Sequence, residues 1–541
     1  MSETTPEPTE PEAAEADDTR SGTGCRALLL KGCLPLILVA GLACLLVVIV
    51  MAQTRRELVS ELKKRYETAY AASSDRPVLF AEPIDGDAVP VYRALSWCLG
   101  SNGRSTPPAE FENHPLIQSL GSGGANGLLG TDLHLLGSRP KTISTPPDSV
   151  RVQAGLLARK TGRATRKPAS GPKTPPKAKA PKGALTRKTV LKLGQVLPLC
   201  DLLRQGVRRR ECRWIDSPDP TAIQHSRGLL NYRSTANLMA ERALRSSPEE
   251  ALEDGLATIA FGRDLVRART LIMSMIGIAC ESIGFHILEE AIGRTRTRAR
   301  LEQLLRELDG LAPIDPVPVI EGERLLFGTY MTALVGEPLP GQTREGVMQE
   351  LASGGPDFIL RSETLMTREW AIVDRGMREV VAAAGLPPAA AEARLAELDR
   401  EHRSSWSLMM RMALPNYSEF LKQFREIEGS RQMLRIIVAA RLYQLENGAF
   451  PKTPAPLARL LGGAVPVNPV DGKTPFAYGT AGPWLGVQST LRPSQEFWTC
   501  IPGTPRTTYK DLSYPLTAKA GGASGEAGDS DSDGDEAAET K

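Results

Sequence analysis

The sequence predicts a mainly α-helical protein with one N-terminal transmembrane helix, a stalk helix, a helical-hairpin bundle, and disordered termini and a disordered insertion. Three observations lead to this prediction. An uncharged apolar run lies near the N-terminus, apolar residues recur at helical spacing through much of the chain, and three stretches are low in complexity. Because low-complexity stretches lack the apolar area that offsets the entropy of ordering, they limit the folded part of the 541 residues.

The apolar run begins at Gly32 and ends at Ala52 without a charged residue. A helix of that length can cross a hydrocarbon core, so we predict a transmembrane helix over residues 27–54 that contacts the lipid bilayer from Gly32 to Ala52. The alternative is a signal peptide cleaved after Ala52, but the run is longer than the usual apolar core of such a peptide.

Flanking charges bear on the side of the membrane. More basic residues follow the run than precede it; they are Arg55, Arg56, Lys63, Lys64 and Arg65 against Arg20, Arg26 and Lys31. Taken alone, this bias places the following domain in the cytoplasm. Long C-terminal domains, however, often cross the membrane regardless of local charge. The charges therefore leave the orientation open.

A stalk helix is predicted directly after the anchor. Residues 56–72 keep Leu58, Val59, Leu62 and Tyr66 at helical spacing. We assign residues 55–99 to the stalk and the start of the folded domain, with a short helix over 91–99.

Three segments are predicted to be disordered. They are an N-terminal tail (1–26), an insertion with a basic low-complexity run (100–188) and an acidic tail (519–541). The basic run could contact anionic lipid, whereas the lack of interleaved aromatic residues argues against nucleic acid as a partner. The acidic tail has aspartates spaced like the first half of a calcium loop, but Thr540 stands where a bidentate glutamate is needed.

A helical domain is predicted over residues 189–428. Ser247 and Glu250 form a capping box with proline at the first helical position, which marks a helix start. Residues 270–290 are apolar nearly all round, and we expect this helix at the centre of the domain rather than in a membrane, since its uncharged core is too short to cross. Further helices are expected at 294–308, 364–384, 389–402 and 417–445, separated by proline-rich turns at 312–318 and 336–340.

The sequence offers no catalytic, cofactor-binding or metal-binding residues. The eight cysteines have no zinc-like spacing, and Cys200 and Cys212 are either a disulfide or two structural thiols. His286 and Glu289 stand one helical turn apart, but the sequence supplies no partners to complete a metal site, which favours a charge cluster at a helix end. We expect no cofactor.

Several blocks resemble a family of uncharacterised bacterial membrane-anchored proteins. The blocks are RPVLFAEPIDGDAVPVYRAL, LLRQGVRRRECRW, SPEEALEDGLATIAFGRDL and LIMSMIGIACESI. The segment RIIVAARLYQLENGAFPKTPAPLARLL and the following VPVNPVDGKTPFAY are also similar to the C-terminal half of type II secretion major pseudopilins. The residues that match are Tyr443, Glu446, Gly448, Phe450, Pro451, Leu457, Leu460, Pro466, Pro469, Gly472, Pro475 and Tyr478.

The resemblance implies a small α+β C-terminal module over residues 429–518, in which a long helix precedes a small β element. It also implies a domain outside the cytoplasmic membrane. In pseudopilins a Ser-x-Gly-x-Asp-Gly stretch binds calcium, and this chain has GVQSTLRPSQEF in its place, so the resemblance does not extend to calcium binding.

The function that we expect is that of a single-pass, membrane-anchored envelope protein whose non-enzymatic helical domain binds a protein partner or scaffolds an assembly. It would lie in the cytoplasmic (inner) membrane with its C-terminal domain on the periplasmic or extracytoplasmic side. The alternative is a membrane-anchored envelope hydrolase with an unrecognised active site. A buried carboxylate pair in the main cleft would favour that alternative.

Overall fold

The computed structural model describes residues 23–71, 80–100 except 81, 109–118 except 116–117, 197–214, 229–337, 362–413 and 417–500 except 482–483 and 492–494. Within the N-terminal helix, side chains are described from residue 39 onward, residue 41 excepted. Residues 1–22 of the predicted N-terminal tail, most of the predicted insertion with its basic run, and the acidic tail lie outside the described residues.

The described part is mainly helical. Its helices are α1 (Thr23–Ala71), α2 (Val89–Gly100), α3 (Leu199–Arg208), α4 (Leu229–Ala243), α5 (Pro248–Val266), α6 (Leu271–Arg294), α7 (Arg298–Asp309), α8 (Val317–Leu334), α9 (Glu363–Ala384), α10 (Pro388–Ser404), α11 (Leu408–Ala413) and α12 (Tyr417–Asn447). Short 3-10 helices span Ala109–Phe111 and Ala455–Leu461. The strands are β1 (Ile84–Asp87), β2 (Arg209–Glu211), β3 (Ala477–Ala481), β4 (Trp484–Gln488) and β5 (Glu496–Cys500).

Two hydrophobic clusters organise these elements. The first surrounds the antiparallel hairpin of α5 and α6 and takes side chains from α2, α3, α4, α7, α12 and the C-terminal sheet. The second joins α8, α9 and α10 to the start of α12 and to the stalk part of α1. Leu58, Val59, Leu62 and Tyr66 of the stalk are all buried in the second cluster. The stalk is therefore part of the domain core.

Paired glycines bring α5 and α6 into close contact. A Cβ atom added at Gly262 would lie 2.5 Å from the carbonyl oxygen of Gly277, and one added at Gly284 would lie 2.9 Å from the carbonyl oxygen of Gly255. These distances are shorter than real Cβ contacts, so only glycine permits the approach of the two backbones.

Helix α6 occupies the centre of the domain, as the apolar pattern predicts. It packs against α4, α5, α12 and β5, and Cys280, Phe285, Leu288 and Ile292 are fully buried. Among the described residues α6 is the helix that is long and apolar enough to cross a membrane, with a mean hydropathy of 1.8 over an 18-residue window. Half of that window is buried inside the protein.

Two small sheets complete the fold. Strands β1 and β2 pair in parallel, with Ile84 opposite Arg209 and Asp87 opposite Glu211. Strands β3, β4 and β5 form an antiparallel sheet in sequence order that packs on α6 and α12. The long α12 followed by this sheet is the order of elements that the pseudopilin resemblance implies.

The helix starts follow their local signals. The Ser247 hydroxyl accepts a hydrogen bond from the Glu250 amide (3.3 Å), and the Glu250 carboxylate accepts one from the Ser247 amide (3.0 Å), which completes the predicted capping box. The predicted helices at 364–384, 389–402 and 417–445 are α9, α10 and α12, to within about two residues at each end.

Five features depart from the sequence-based prediction. Helix α1 begins at Thr23, within the tail (1–26) that is predicted to be disordered, and the helix predicted at 294–308 begins at Arg298. Helix α8 begins at Val317, inside the predicted proline-rich turn, because a proline in the first turn of a helix costs no hydrogen bond. The predicted boundary between 428 and 429 falls within the continuous α12. The insertion at 100–188 contains the 3-10 helix Ala109–Phe111, and Phe111 is buried in the first cluster.

Candidate binding cleft

A cleft lies where the two hydrophobic clusters meet. Its walls are the C-terminal half of α5, the α5–α6 connection and the segment from Gly310 to Val319 that joins α7 to α8, and they enclose a cavity of about 290 Å³. Apolar side chains form most of the wall; they are Val207, Ala260, Val266, Leu311, Pro313, Ile314, Pro318 and Val319. We call this cavity the basic cleft because three arginines, Arg263, Arg267 and Arg269, also line it.

Arg263 is fixed by two partners. Its Nε donates to Glu281 Oε1 (3.0 Å), and its Nη1 donates to the carbonyl oxygen of Ala312 (2.7 Å). The Glu281 carboxyl is buried, and this burial raises its pKa, although the nearby Arg263 acts in the opposite direction. Arg263 therefore ties α5 to α6 and to the 310–319 segment.

Asp264 and Arg267 form the next part of the wall. The Tyr92 hydroxyl donates to Asp264 Oδ2 (2.5 Å), and Trp214 Nε1 donates to the Asp264 carbonyl oxygen (2.6 Å). Arg267 Nε lies 3.9 Å from Asp264 Oδ1. The negative charge of the buried Asp264 is thus held within the first cluster by a hydroxyl group and a neighbouring guanidinium.

Arg269 differs from the other two arginines. Its guanidinium has no hydrogen-bond or ion-pair partner among the residues that the structure describes, and it lines both the basic cleft and a neighbouring cavity of about 380 Å³ beside the stalk. Burial lowers the pKa of the Arg269 guanidinium, and the nearby Glu321 opposes this shift. The cleft therefore contains a partly buried cation that lacks a hydrogen-bonded counter-ion.

The backbone of Arg269 is held in a strained conformation. Its φ is +56°, and among the described residues it is the one non-glycine residue with a positive φ. A Cβ atom added at Gly322 of α8 would overlap the Arg269 carbonyl oxygen. Close packing of α8 on the α5–α6 connection therefore maintains a conformation that costs about 1–3 kcal/mol.

Two carboxylates line the cleft, but they are not a buried pair. Asp264 is buried, whereas Asp315 is exposed and its Oδ1 accepts a hydrogen bond from the Val317 amide (3.0 Å) at the start of α8. Each of these carboxylates has a structural partner. The described residues that line this cleft therefore do not include the buried carboxylate pair that would favour a hydrolase.

The other residues weighed in the sequence lie away from the cleft. His286 Nδ1 is 3.1 Å from Glu289 Oε2, and its ring centroid is 5.5 Å from that of Phe497. Cys200 and Cys212 are buried free thiols rather than a disulfide. In the described part of the chain, no group of three or more His, Cys, Asp or Glu side chains could hold a metal ion.

Sequence reasoning missed the three arginines of the cleft. They lie within seven residues at the end of α5, in FGRDLVRART, and basic residues are favoured at any helix C-terminus. Only their position opposite the 310–319 segment distinguishes them, and that segment is more than 40 residues away in sequence.

No family model, no curated protein and no solved structure matches this chain.

Proposed function

We propose that the chain is a single-pass, membrane-anchored envelope protein whose helical domain is a non-enzymatic unit for protein binding or scaffolding. The observation that carries this proposal is the form of α1. Its apolar side chains Val39, Leu42 and Leu45 to Val50 are exposed by 48–69 %, and the same helix continues into the buried stalk. A row of exposed aliphatic side chains is stable when lipid surrounds it.

Buried charges join the stalk to the domain. Arg324 of α8 forms an ion pair with Asp374 of α9, and its Nη2 lies 3.3 Å from Glu61 Oε1 of the stalk. Arg378 adds a contact of 2.9 Å to Asp374 Oδ2. Loss of one member would leave a buried charge unpaired, which typically costs about 3–5 kcal/mol. These ion pairs would hold the domain rigidly against α1, without a flexible linker between the domain and its anchor.

The domain begins close to the end of the apolar run. Arg55 Nη1 donates to the Val335 carbonyl oxygen (2.9 Å) and lies 3.4 Å from Glu363 Oε2. Arg55 is three residues beyond Ala52, or about 4.5 Å along a helix. The C-terminus of α8 and the N-terminus of α9 would thus lie at the membrane surface.

An exposed tryptophan lies near the same end. Trp406 is 65 % exposed, and its ring lies 4.3 Å from the guanidinium carbon of Arg368 in the second turn of α9. Tryptophan is favoured at membrane interfaces, where an apolar ring meets polar head groups. Trp406 would rest in the head-group region of the bilayer that holds α1.

The resemblance to bacterial envelope proteins supports the extracytoplasmic side. Two of the residues that match the pseudopilin pattern contact each other, since the Tyr478 hydroxyl donates to the Pro451 carbonyl oxygen (2.9 Å). The protein partner is part of this proposal, and so is contact between the basic run at 160–188 and anionic lipid. The envelope hydrolase stays the alternative.

Fractionation after a carbonate wash tests the anchor. In a chain with Leu42→Arg and Leu46→Arg, two charges at the centre of the run should cost roughly 5–7 kcal/mol of insertion, and the protein should leave the membrane fraction. The matched control carries Leu386→Arg and Leu491→Arg at two exposed positions of the domain and should stay with the membrane. Release of the native chain by carbonate would refute the proposal.

Cysteine labelling tests the orientation. The variant Ala389→Cys places a thiol on the exposed start of α10, in a chain with Cys25, Cys33, Cys44 and Cys500 changed to serine. The remaining cysteines are buried, and burial raises the pKa of the Cys98 and Cys200 thiols to about 12, so they should not react. A membrane-impermeant maleimide should label the introduced thiol in cells with a permeabilised outer membrane. Labelling only after lysis would place the domain in the cytoplasm.

A further inference from the structure

Arg269 gives the basic cleft a specific binding capacity. We propose that the cleft binds the carboxylate of a small amphipathic ligand, with the Arg269 guanidinium as its ion-pair partner and the apolar wall in contact with its hydrocarbon part. A planar guanidinium can donate two parallel hydrogen bonds to a carboxylate. The ligand class is thus an apolar carboxylic acid.

The charges in the cleft support this assignment. Arg263 is engaged by Glu281 and Ala312, and Arg267 lies beside Asp264, whereas Arg269 has no such partner in the described part of the chain. Glu321 acts on Arg269 through its charge but is exposed to solvent, and no hydrogen bond joins the two side chains in the described part of the chain. A cation that is partly removed from water without a hydrogen-bonded counter-ion is unfavourable, and a bound carboxylate would supply one.

The backbone around Arg269 makes the site rigid. Its carbonyl group is packed against Gly322, and the next helix is fixed by a hydrogen bond from the Leu271 amide to Glu323 Oε2 (2.9 Å). Functional sites gain affinity when their binding groups are positioned before the ligand arrives, because less ordering is left to the binding step. The strained φ of Arg269 is consistent with such a role.

The size and lining of the cleft limit the ligand. A volume of about 290 Å³ is at the lower end for ligand pockets, which span roughly 300–1,000 Å³. Val266, Ile314 and Val319 offer an aliphatic surface beside the arginines. A single aliphatic or small aromatic group next to a carboxylate fits these dimensions, either as a free acid or as the C-terminal residue of a peptide.

Lipid of the anchoring bilayer is excluded as the source. Arg269 and Thr68 of the stalk line the same neighbouring cavity, and Thr68 is 16 residues beyond Ala52, about 24 Å along a helix. Head groups extend roughly 5–8 Å beyond the hydrocarbon core. The exclusion of bilayer lipid depends on the proposed membrane anchor. The proposal that the cleft binds a carboxylate does not depend on it, because that proposal is based on the charge and shape of the cleft.

Calorimetric titration of the full chain in lipid nanodiscs tests the inference. One probe is N-acetyl-leucine and the other is the peptide Gly-Ser-Ala-Leu with a free C-terminus; N-acetyl-leucinamide and the amidated peptide serve as neutral controls. At least one acid should bind with a dissociation constant of about 1 mM or below, and its amide should bind about ten-fold more weakly or not at all. Binding of the peptide alone would identify a polypeptide terminus as the source, and binding of N-acetyl-leucine alone would identify a small molecule. Equal binding of both acids would support the carboxylate site and show that it recognises only the terminal residue.

The variant Arg269→Gln should weaken binding of the acid about ten-fold or more, and Arg269→Lys should give an intermediate value because it keeps the charge without the planar fork. Arg400→Gln changes an exposed arginine of α10 and should leave binding unchanged. The thermal unfolding midpoint of each variant reports whether the variant is folded. If Arg269→Gln does not fold, Arg269→Lys tests the proposal in its place. Absence of binding by both acids up to about 10 mM, equal binding of acid and amide, or unchanged affinity in folded Arg269 variants would overturn the inference. Carbonate extraction of the same variants reports separately on the anchor.

Discussion

The apolar run of α1 and the helix α6 have similar compositions and opposite environments. The run from Gly32 to Ala52 has no charged residue, and its described side chains from Val39 to Val50 are exposed. Helix α6 is the described helix that meets the length and hydropathy of a membrane span, yet most of its large apolar side chains are buried against other helices. Hydropathy alone therefore does not distinguish an apolar helix with exposed side chains from a core helix.

Two features of α6 account for the difference. Its glycines Gly277 and Gly284 face those of α5, so the two backbones pack closely along the hairpin. It also carries Glu281, whose carboxylate accepts a hydrogen bond from Arg263 of α5. In α1 the apolar run has no Asp, Glu, Lys, Arg or His, and its described side chains from Val39 to Val50 are exposed and face no other helix.

The largest expected effect comes from a charge placed in each helix. Leu288 is fully buried, and Leu288→Arg should unfold the domain, because an unpaired charge in the core costs several kcal/mol. Leu42→Arg should leave the thermal unfolding midpoint of the domain unchanged and cost about 2.5–3.5 kcal/mol of membrane insertion. Circular dichroism against temperature and membrane fractionation measure the two effects. A folded Leu288→Arg domain would remove the contrast between the helices.

A methyl group at a helix contact should have the next largest effect. Gly262→Ala or Gly277→Ala should lower the free energy of unfolding by about 1–3 kcal/mol, since the added Cβ meets backbone atoms that cannot move aside. Gly293→Ala is the matched control in the same helix as Gly277, because its Cβ would meet only Thr499 Oγ1 at 3.4 Å. Denaturant titration compares them. Equal stability of Gly277→Ala and Gly293→Ala would contradict close packing of the hairpin.

The buried Glu281 should make stability depend on pH. Burial raises the pKa of this carboxyl in the folded state, so between its unfolded value near 4.5 and the higher folded value the native state binds more protons. The free energy of unfolding should therefore fall as pH rises through this window, by at most about 1.4 kcal/mol per pH unit. In Glu281→Gln this contribution should disappear. The difference between the two pH profiles of denaturant unfolding isolates it, and parallel profiles would contradict the raised pKa.

The smallest effect is expected at Trp406, where the domain would meet the bilayer. In nanodiscs with brominated lipid, the tryptophan fluorescence of the native chain should be quenched more than that of Trp406→Phe. The free energies of unfolding of the two chains should agree within about 0.5 kcal/mol, because surface substitutions usually change stability by no more than that. Trp370 is buried in the second cluster and serves as an internal reference that lipid does not reach. If the two chains are quenched equally, Trp406 faces away from the membrane.

The sequence by itself determined the features that local signals specify. The capping box at Ser247 and Glu250, the starts of α9, α10 and α12, and the mainly helical fold class follow from hydrogen bonds and apolar spacing within a few helical turns. The uncharged run in α1 is equally local, since its length and composition can be read without knowledge of any neighbour.

Only the tertiary structure decided which apolar surfaces and charges meet. It paired β1 with β2 across more than 100 residues and buried Phe111 of the predicted insertion. It placed α8 against Arg269, which lines the basic cleft and has no hydrogen-bond or ion-pair partner among the described residues. It also placed α6 in the core. The physical reason is that burial and charge compensation depend on residues distant in sequence, which no local spacing specifies.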